Sequence, residues 1–367
     1  MKYPFKPISK SAVRKAGSIL RSEQDGDRLI NSRNILSIWR ANHLYPMNTF
    51  QATLRARIGR VGASGFVVQR LKREESIVRK LRRHRDMNLV HMQDIAGLRA
   101  VLPDTESVNA LAQLYQTGSL SHELLKIDDY ISHPKASGYR SIHLVYKYQQ
   151  SKVTEFNGYR IEIQLRTQLQ HIWATAVETF GVYYEAALKA SEGPGDVLEF
   201  FSMLSAGFSI IEGSPVHEDY KVFSDVSIFE SICEQDISAN VRETIFQLKE
   251  ATNLIDSKKS GSLHLIVLNL RRQEITVRTY SQAQSSIAVE KYSELERTYS
   301  TYSDVNVVLV TSKSVKDLKK AYPNYFLDLS GLEEIIASFY ELLDDMNRLG
   351  IQSYGALPVH MRPSVIW

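Results

Sequence analysis

Arg160-Ile161-Glu162-Ile163-Gln164-Leu165-Arg166 alternates strictly between polar and aliphatic residues. Successive side chains of a strand point to opposite faces, so a strand here sets Arg160, Glu162, Gln164 and Arg166 on one face and three aliphatics on the other. Taken alone, the same alternation describes an ordinary half-solvated strand of an antiparallel sheet. Two more strands are predicted nearby, over 95–102 and 141–148, with a helix over 107–116 between them. Strands and helices in this mixed order indicate an α/β or α+β core, a mixed sheet flanked by helices.

Working outward, residues 8–60 read mainly as helices, one stopping near Pro46 and the next running over 49–60. A basic helical segment is expected over 66–84, in which Arg70, Lys72, Arg73, Arg79, Lys80, Arg82 and Arg83, with Arg85 just beyond, are interrupted among charged residues only by Glu74 and Glu75. After Thr167 the pattern returns to helix over 170–189, meets a breaker at Gly193-Pro194-Gly195, and continues helical to about 258. A second strand-rich unit follows. It comprises a hairpin of 263–270 and 274–280 around Arg271, Arg272 and Gln273, a helix over 289–299, a strand over 305–311 and a helix over 332–348. The expected organisation is therefore an N-terminal helical segment (1–60), a core (61–190), a helical extension (191–258) and a smaller C-terminal α/β domain (259–367). In the final helix Phe339, Tyr340, Leu342 and Leu343 are read as core rather than interface.

Composition narrows the class. The chain has 367 residues, 43% hydrophobic and 23% charged, which is ordinary for a globular protein of more than one domain. No run approaches the roughly eighteen apolar residues of a membrane span, and Met1 to Lys10 lacks an apolar signal region. Cys233 is the sole cysteine, which excludes an internal disulfide and fits a reducing compartment, so the cytoplasm is the expected location. A formal charge of +4 does not mark a nucleic-acid binder by itself, and local clustering must carry that argument.

Three clusters carry chemistry. Asp94 stands at the entrance of a strand whose later residues are almost all apolar or small, suggesting burial on both faces. It reads either as a cap or turn aspartate or as a metal ligand. If it neighbours Glu162, the two carboxylates can share one Mg²⁺, which prefers hard oxygen ligands and keeps substrate phosphates in its shell. Lys135-Ala136-Ser137-Gly138-Tyr139-Arg140-Ser141-Ile142-His143 reads as a glycine-containing loop entering a strand. Tyr139 could stack on a base while Lys135 and His143 meet phosphates, or could merely cover the sheet edge. Arg70, Lys72, Arg79 and Lys80 exceed what two nearby glutamates can pair, suggesting either a polyanion site or a solvated basic face.

These segments occur in the order and spacing of the RelA/SpoT synthetase domain, which the chain resembles over about 60–190. The motifs are Arg70-x-Lys72-x-x-x-Ser76-x-x-x-Lys80-Leu81, Asp94-Ile95-Ala96-Gly97-Leu98-Arg99, Lys135-x-x-Gly138-Tyr139-Arg140-Ser141-Ile142-His143 and Glu162-Ile163-Gln164-Leu165-Arg166-Thr167. The resemblance implies a nucleotidyltransferase-like fold. It implies that Arg70, Lys72, Ser76, Lys80 and Arg99 surround ATP, that Asp94 binds Mg²⁺, and that Glu162 is a second ligand or the base. By the same likeness Lys135, Tyr139, His143, Gln164 and Arg166 receive the acceptor nucleotide.

The implied reaction is attack of an acceptor 3′-hydroxyl on the β-phosphorus of ATP, giving (p)ppGpp from GDP or GTP. The toxin branch of the same superfamily instead acts on the transfer RNA 3′ end or on adenine nucleotides. A third reading, a nucleotide-binding regulator without activity, leaves the paired carboxylates unexplained. Long relatives add a hydrolase domain with an adjacent His-Asp pair. No such pair precedes Asp94, and His217, Glu218 and Asp219 read as surface residues, so synthesis without degradation is expected. The C-terminal unit has no readable motif; a protein partner or self-association through it is the expectation.

Overall fold

The structure is a computed structural model that describes residues 6–23, 25–118, 120–184, 188, 193–250, 263–269, 274–299, 302, 305–311 and 329–362. Eight strands form one mixed sheet, flanked by helices. In chain order the strands are β1 (Phe66–Leu71), β2 (Ala96–Leu102), β3 (Glu123–Asp129), β4 (Ile142–Lys147), β5 (Arg160–Thr167), β6 (Leu263–Asn269), β7 (Glu274–Tyr280) and β8 (Val305–Thr311). Their order across the sheet is β3-β4-β5-β2-β1-β8-β6-β7. β2 and β5 run parallel, and the other neighbours are antiparallel.

The aliphatic face of β5 does what its alternation requires. Ile161, Ile163 and Leu165 are fully buried in a core shared with Leu98 and Ala100 of β2. That core is closed by α1 (Lys10–Ser22), α2 (Asp27–Asn42), α3 (Leu44–Arg60) and α5 (Thr105–Thr117). Local signals set the helix starts: the Ser9 hydroxyl accepts from the Ala12 N–H at 3.1 Å, and the Asp104 carboxylate accepts from Ser107 N–H at 2.7 Å. A second core lies among α6 (Gln168–Tyr183), α7 (Gly195–Ile211), α8 (Asp225–Ser238) and the final helix, α11 (Ser330–Leu349). Phe339 and Leu342 are buried there, with Tyr340 and Leu343 packed against it. α9 (Val241–Glu250) and α10 (Ser285–Thr298) complete the helices among the described residues, and none of these helices is long and apolar enough to cross a membrane.

Three expectations change. The segment read as one basic helix over 66–84 is β1 followed by α4 (Glu74–Arg83), because Phe66, Val67 and Val68 carry the aromatic and β-branched side chains that suit an interior strand. Pro46 does not stop a helix: it lies in the first turn of α3, where a backbone N–H has no intrahelical acceptor to lose. β2 is buried on both faces only toward its end, since Gly97 and Arg99 are half-exposed. β3 was not expected at all. The C-terminal strand positions are as read, but β8 pairs with β1, so these strands extend the same sheet, while α11 packs on α8 and α6. The hairpin turn at 271–273 and the stretch 251–258 lie outside the described residues.

Candidate active site

The polar face of the central strands forms the floor of a cavity of about 400 Å³. Register explains the convergence. Gly97 of β2 stands opposite Arg70 of β1 on one side and Glu162 of β5 on the other, and His143 of β4 stands opposite Gln164. Gly97 leaves the floor open, for no atom lies within 4 Å of where a Cβ would sit. Of the residues singled out from sequence, Arg70, Lys72, Lys80, Asp94, Arg99, Lys135, Tyr139, His143, Glu162, Gln164 and Arg166 all line this cavity. Ser76, one turn before Lys80 on α4, does not.

At one end, Asp94 precedes β2 and receives two ammonium groups on Oδ2, Lys72 Nζ at 3.0 Å and Lys80 Nζ at 2.9 Å. Burial pushes the Asp94 carboxyl up, but the two lysines outweigh it and hold the group at about 2. Lys72 is drawn below the ordinary lysine range by burial and by Arg70, despite Asp94. Asp94 Oδ1 is buried without a hydrogen-bond partner. Buried polar atoms are nearly always satisfied, so an orphaned carboxylate oxygen on a residue that lines the cavity is a candidate place for a ligand.

At the other end the carboxylate is fully engaged. Glu162 Oε1 accepts from His143 Nδ1 at 3.1 Å and Oε2 from Gln164 Nε2 at 2.8 Å. The Tyr139 hydroxyl donates to His143 Nε2 at 2.6 Å and accepts from Arg166 Nη2 at 2.6 Å, and the same Nη2 donates to Gln164 Oε1 at 2.8 Å. These bonds close a ring through five side chains. Burial pushes Glu162 up, yet the hydrogen bonds from His143 and Gln164 bring it below the usual glutamate range, so it is ionised at neutral pH.

Two arginines supply surplus donors. Arg166 Nη1 and Arg99 Nε are buried without partners, and burial with Arg166 close by pulls Arg99 down to about 10. Two guanidinium groups kept near one another with unused donors call for an anion.

The glycine-containing loop is fixed from behind. Gly138 adopts φ +83°, a left-handed conformation that side chains disfavour, and an added Cβ would meet Ser205 and Trp173. Ser205 Oγ donates to the Gly138 carbonyl at 2.5 Å, and the buried Arg140 pairs with Glu212 at 2.5 Å, so α7 holds the loop. Tyr139 is itself buried, 8% exposed, with its ring edge-on to Tyr130, His143 and Trp173. Tyr130 is more open, with Lys135 Nζ over its ring at 4.1 Å. Tyr130, Asp128 and Lys126 line the cavity and were missed, because they belong to or adjoin β3. The alternation of Leu125, Lys126, Ile127 and Asp128 was the available signal.

Residues 69–187 match the region found in RelA / SpoT proteins. Over 121 residues the chain is 33% identical to the GTP pyrophosphokinase YjbM of Bacillus subtilis, covering 32% of this chain and 57% of that protein. Over 123 residues it is 33% identical to the GTP pyrophosphokinase YwaC of the same organism, covering 32% and 56%. The chain thus spans a little over half the length of these relatives. Among solved structures, the small alarmone synthetase 1 from Bacillus subtilis bound to its product pppGpp aligns at 25% identity with a TM-score of 0.42, covering 47% of this chain and 90% of that one. Asp94, Glu162 and the cations that line the cavity all fall inside the span, residues 69–187, that matches the region found in RelA / SpoT proteins.

Proposed function

We propose that the cavity transfers the β,γ-pyrophosphate of ATP to the 3′-hydroxyl of GDP or GTP, releasing AMP. The observation that carries this reading is the convergence of Asp94 and Glu162 on one cavity that Arg70, Lys72, Lys80, Arg99, Lys135 and Arg166 also line. Paired carboxylates among so many cations suit a polyphosphate and a divalent ion better than a neutral ligand. The likeness to two GTP pyrophosphokinases points the same way.

The residues fit a Mg²⁺ ion: Asp94 offers an unused buried oxygen, and Glu162 is a second ionised carboxylate in the same cavity. Asp94 would hold the ion with phosphate oxygens, and Glu162 would join it or serve as base. When bound, the ion neutralises charge on the phosphate oxygens. Lys72 and Lys80, now paired with Asp94, would turn to the β- and γ-phosphates, and Arg70 and Arg99 would complete the ATP side. On the acceptor side Lys135, Gln164 and Arg166 would orient the nucleotide, with Tyr139 and Tyr130 as the aromatic surface for its base. The acceptor 3′-oxygen attacks the β-phosphorus, the bond from that phosphorus to the bridging α-oxygen breaks, and AMP leaves with the electron pair. Glu162 takes the hydroxyl proton, and His143 and Gln164 hold its oxygens in line.

ATP labelled in the β-phosphate is incubated with Mg²⁺ and, separately, GDP, GTP, ATP or bulk transfer RNA, and products are separated. Label on GDP or GTP is the expected result. Label on transfer RNA or on an adenine nucleotide moves the protein to the toxin-type reading, which the exposed Arg79, Arg82 and Arg83 of α4 would suit. Binding of ATP with no labelled product establishes a regulator instead.

A further inference from the structure

We propose that Glu296 of α10 is a positioning residue for the polyphosphate side of the cavity, because it caps helix α4 from the far end of the chain. α4 starts without a cap of its own. Its N-cap residue, Arg73, makes no side-chain cap bond, although the first N–H groups of a helix have no acceptor within it. The Glu74 N–H instead donates to Glu296 Oε1 at 2.8 Å, across 222 residues of chain. A carboxylate therefore stands where a Ser or Asp usually does, at the helix end that favours negative charge.

The capping carboxylate is itself fixed. Arg40 Nη1 donates to Glu296 Oε2 at 2.8 Å, and the Tyr292 hydroxyl donates to Oε1 at 3.0 Å while accepting from Arg40 Nη2 at 2.6 Å. Arg40 is 3% exposed, so this is a buried, bonded pair rather than a surface contact. The same C-terminal segment braces the other ATP-side element, since Val310 of β8 lies opposite Arg70 of β1. The strand that carries Arg70 and the helix that carries Lys80, with Lys72 in the link between them, are thus both held by residues that do not line the cavity. The inference rests on the proposed use of those cations to bind ATP. It gives the C-terminal strands a role in fixing donor geometry.

The test compares wild type with Glu296→Gln, which keeps an oxygen for the Glu74 N–H, and with the double variant Arg40→Leu/Glu296→Leu, which removes both charges of the pair together and leaves the buried Glu74 its bond to Arg33. Amide hydrogen exchange over 74–77, ATP affinity by calorimetry, and KM for each substrate are measured. In the double variant, exchange at the start of α4 is expected to accelerate about tenfold, and ATP affinity to fall by a similar factor with acceptor KM unchanged. Glu296→Gln should lie between. Unchanged exchange at 74–77, or equal rises in both KM values, overturns the proposal, as does a loss of Vmax alone, which is what mere loss of folded protein gives. Should wild type transfer to no acceptor, the pyrophosphokinase reading fails separately, and exchange with ATP affinity still decides whether Glu296 sets the ATP side.

Discussion

Asp94 and Glu162 serve the same cavity, yet the two ends are built on opposite plans. Around Asp94 the partners are two flexible ammonium groups on one oxygen, and the other oxygen is unmet. Around Glu162 both oxygens are bonded within a ring of Gln164, Arg166, Tyr139 and His143. Lysine is a mobile point charge that can exchange one anion for another, whereas a ring of short bonds between rigid side chains preserves one geometry. In the proposed reaction the Asp94 end is the one that ligand completes, with the lysines as its counter-ions until then. The Glu162 end is already organised by its own hydrogen bonds, which suits the base proposed for it.

The largest effect should come from breaking the incomplete end. Asp94→Asn keeps the shape and leaves the fold intact, but removes the charge that a divalent ion needs and frees Lys72 and Lys80. Transfer should fall beyond roughly 1000-fold, while ATP affinity stays within about tenfold because the cations remain. Near-normal turnover would refute the assignment of Asp94. Glu162→Gln strikes the organised end and should cost about 100-fold in kcat, the lower range for losing a general base. Its KM for ATP should hold, and measured KM and kcat for both variants separate the two ends. Equal losses in the two variants would mean that the carboxylates act as one unit and that the contrast drawn between them is false.

The strand that carries Glu162 was legible in the sequence because its alternation is enforced by burial on one side. Ile161, Ile163 and Leu165 cannot be wet, so Glu162, Gln164 and Arg166 had to share the opposite face. β1 was not legible: the density of positive charge from Arg70 onward obscured the Phe66-Val67-Val68 start, and charge carries no secondary-structure period. β3 escaped for a related reason. It is an edge strand with a bulge at Leu124/Lys126 and largely exposed residues, so its alternation is blurred, and Tyr130 was lost with it. The ring through Tyr139 and Arg166 depends on strand register, which no single segment contains. The clamp of Glu296 on α4 joins residues 222 apart and has no local signature at all.

A smaller effect sharpens the comparison without any substrate. Asp94 has an ordinary value of 3.8 and is held at about 2 in the fold. A carboxyl lowered by folding binds fewer protons folded than unfolded in that interval, so stability rises with pH there. The lysine pairing thus adds its full stabilisation above about pH 4 and loses it as pH falls toward 2. The difference corresponds to about 2 kcal/mol. Urea unfolding followed from pH 5 to pH 2 should show that loss in wild type and a shallower slope in Asp94→Asn. Saturating inorganic tripolyphosphate should flatten the wild-type slope as well, since Lys72 and Lys80 leave Asp94 for the added anion. A slope that the anion does not change would mean that the lysines belong to Asp94 permanently, and the Asp94 end would then be as closed as the Glu162 end.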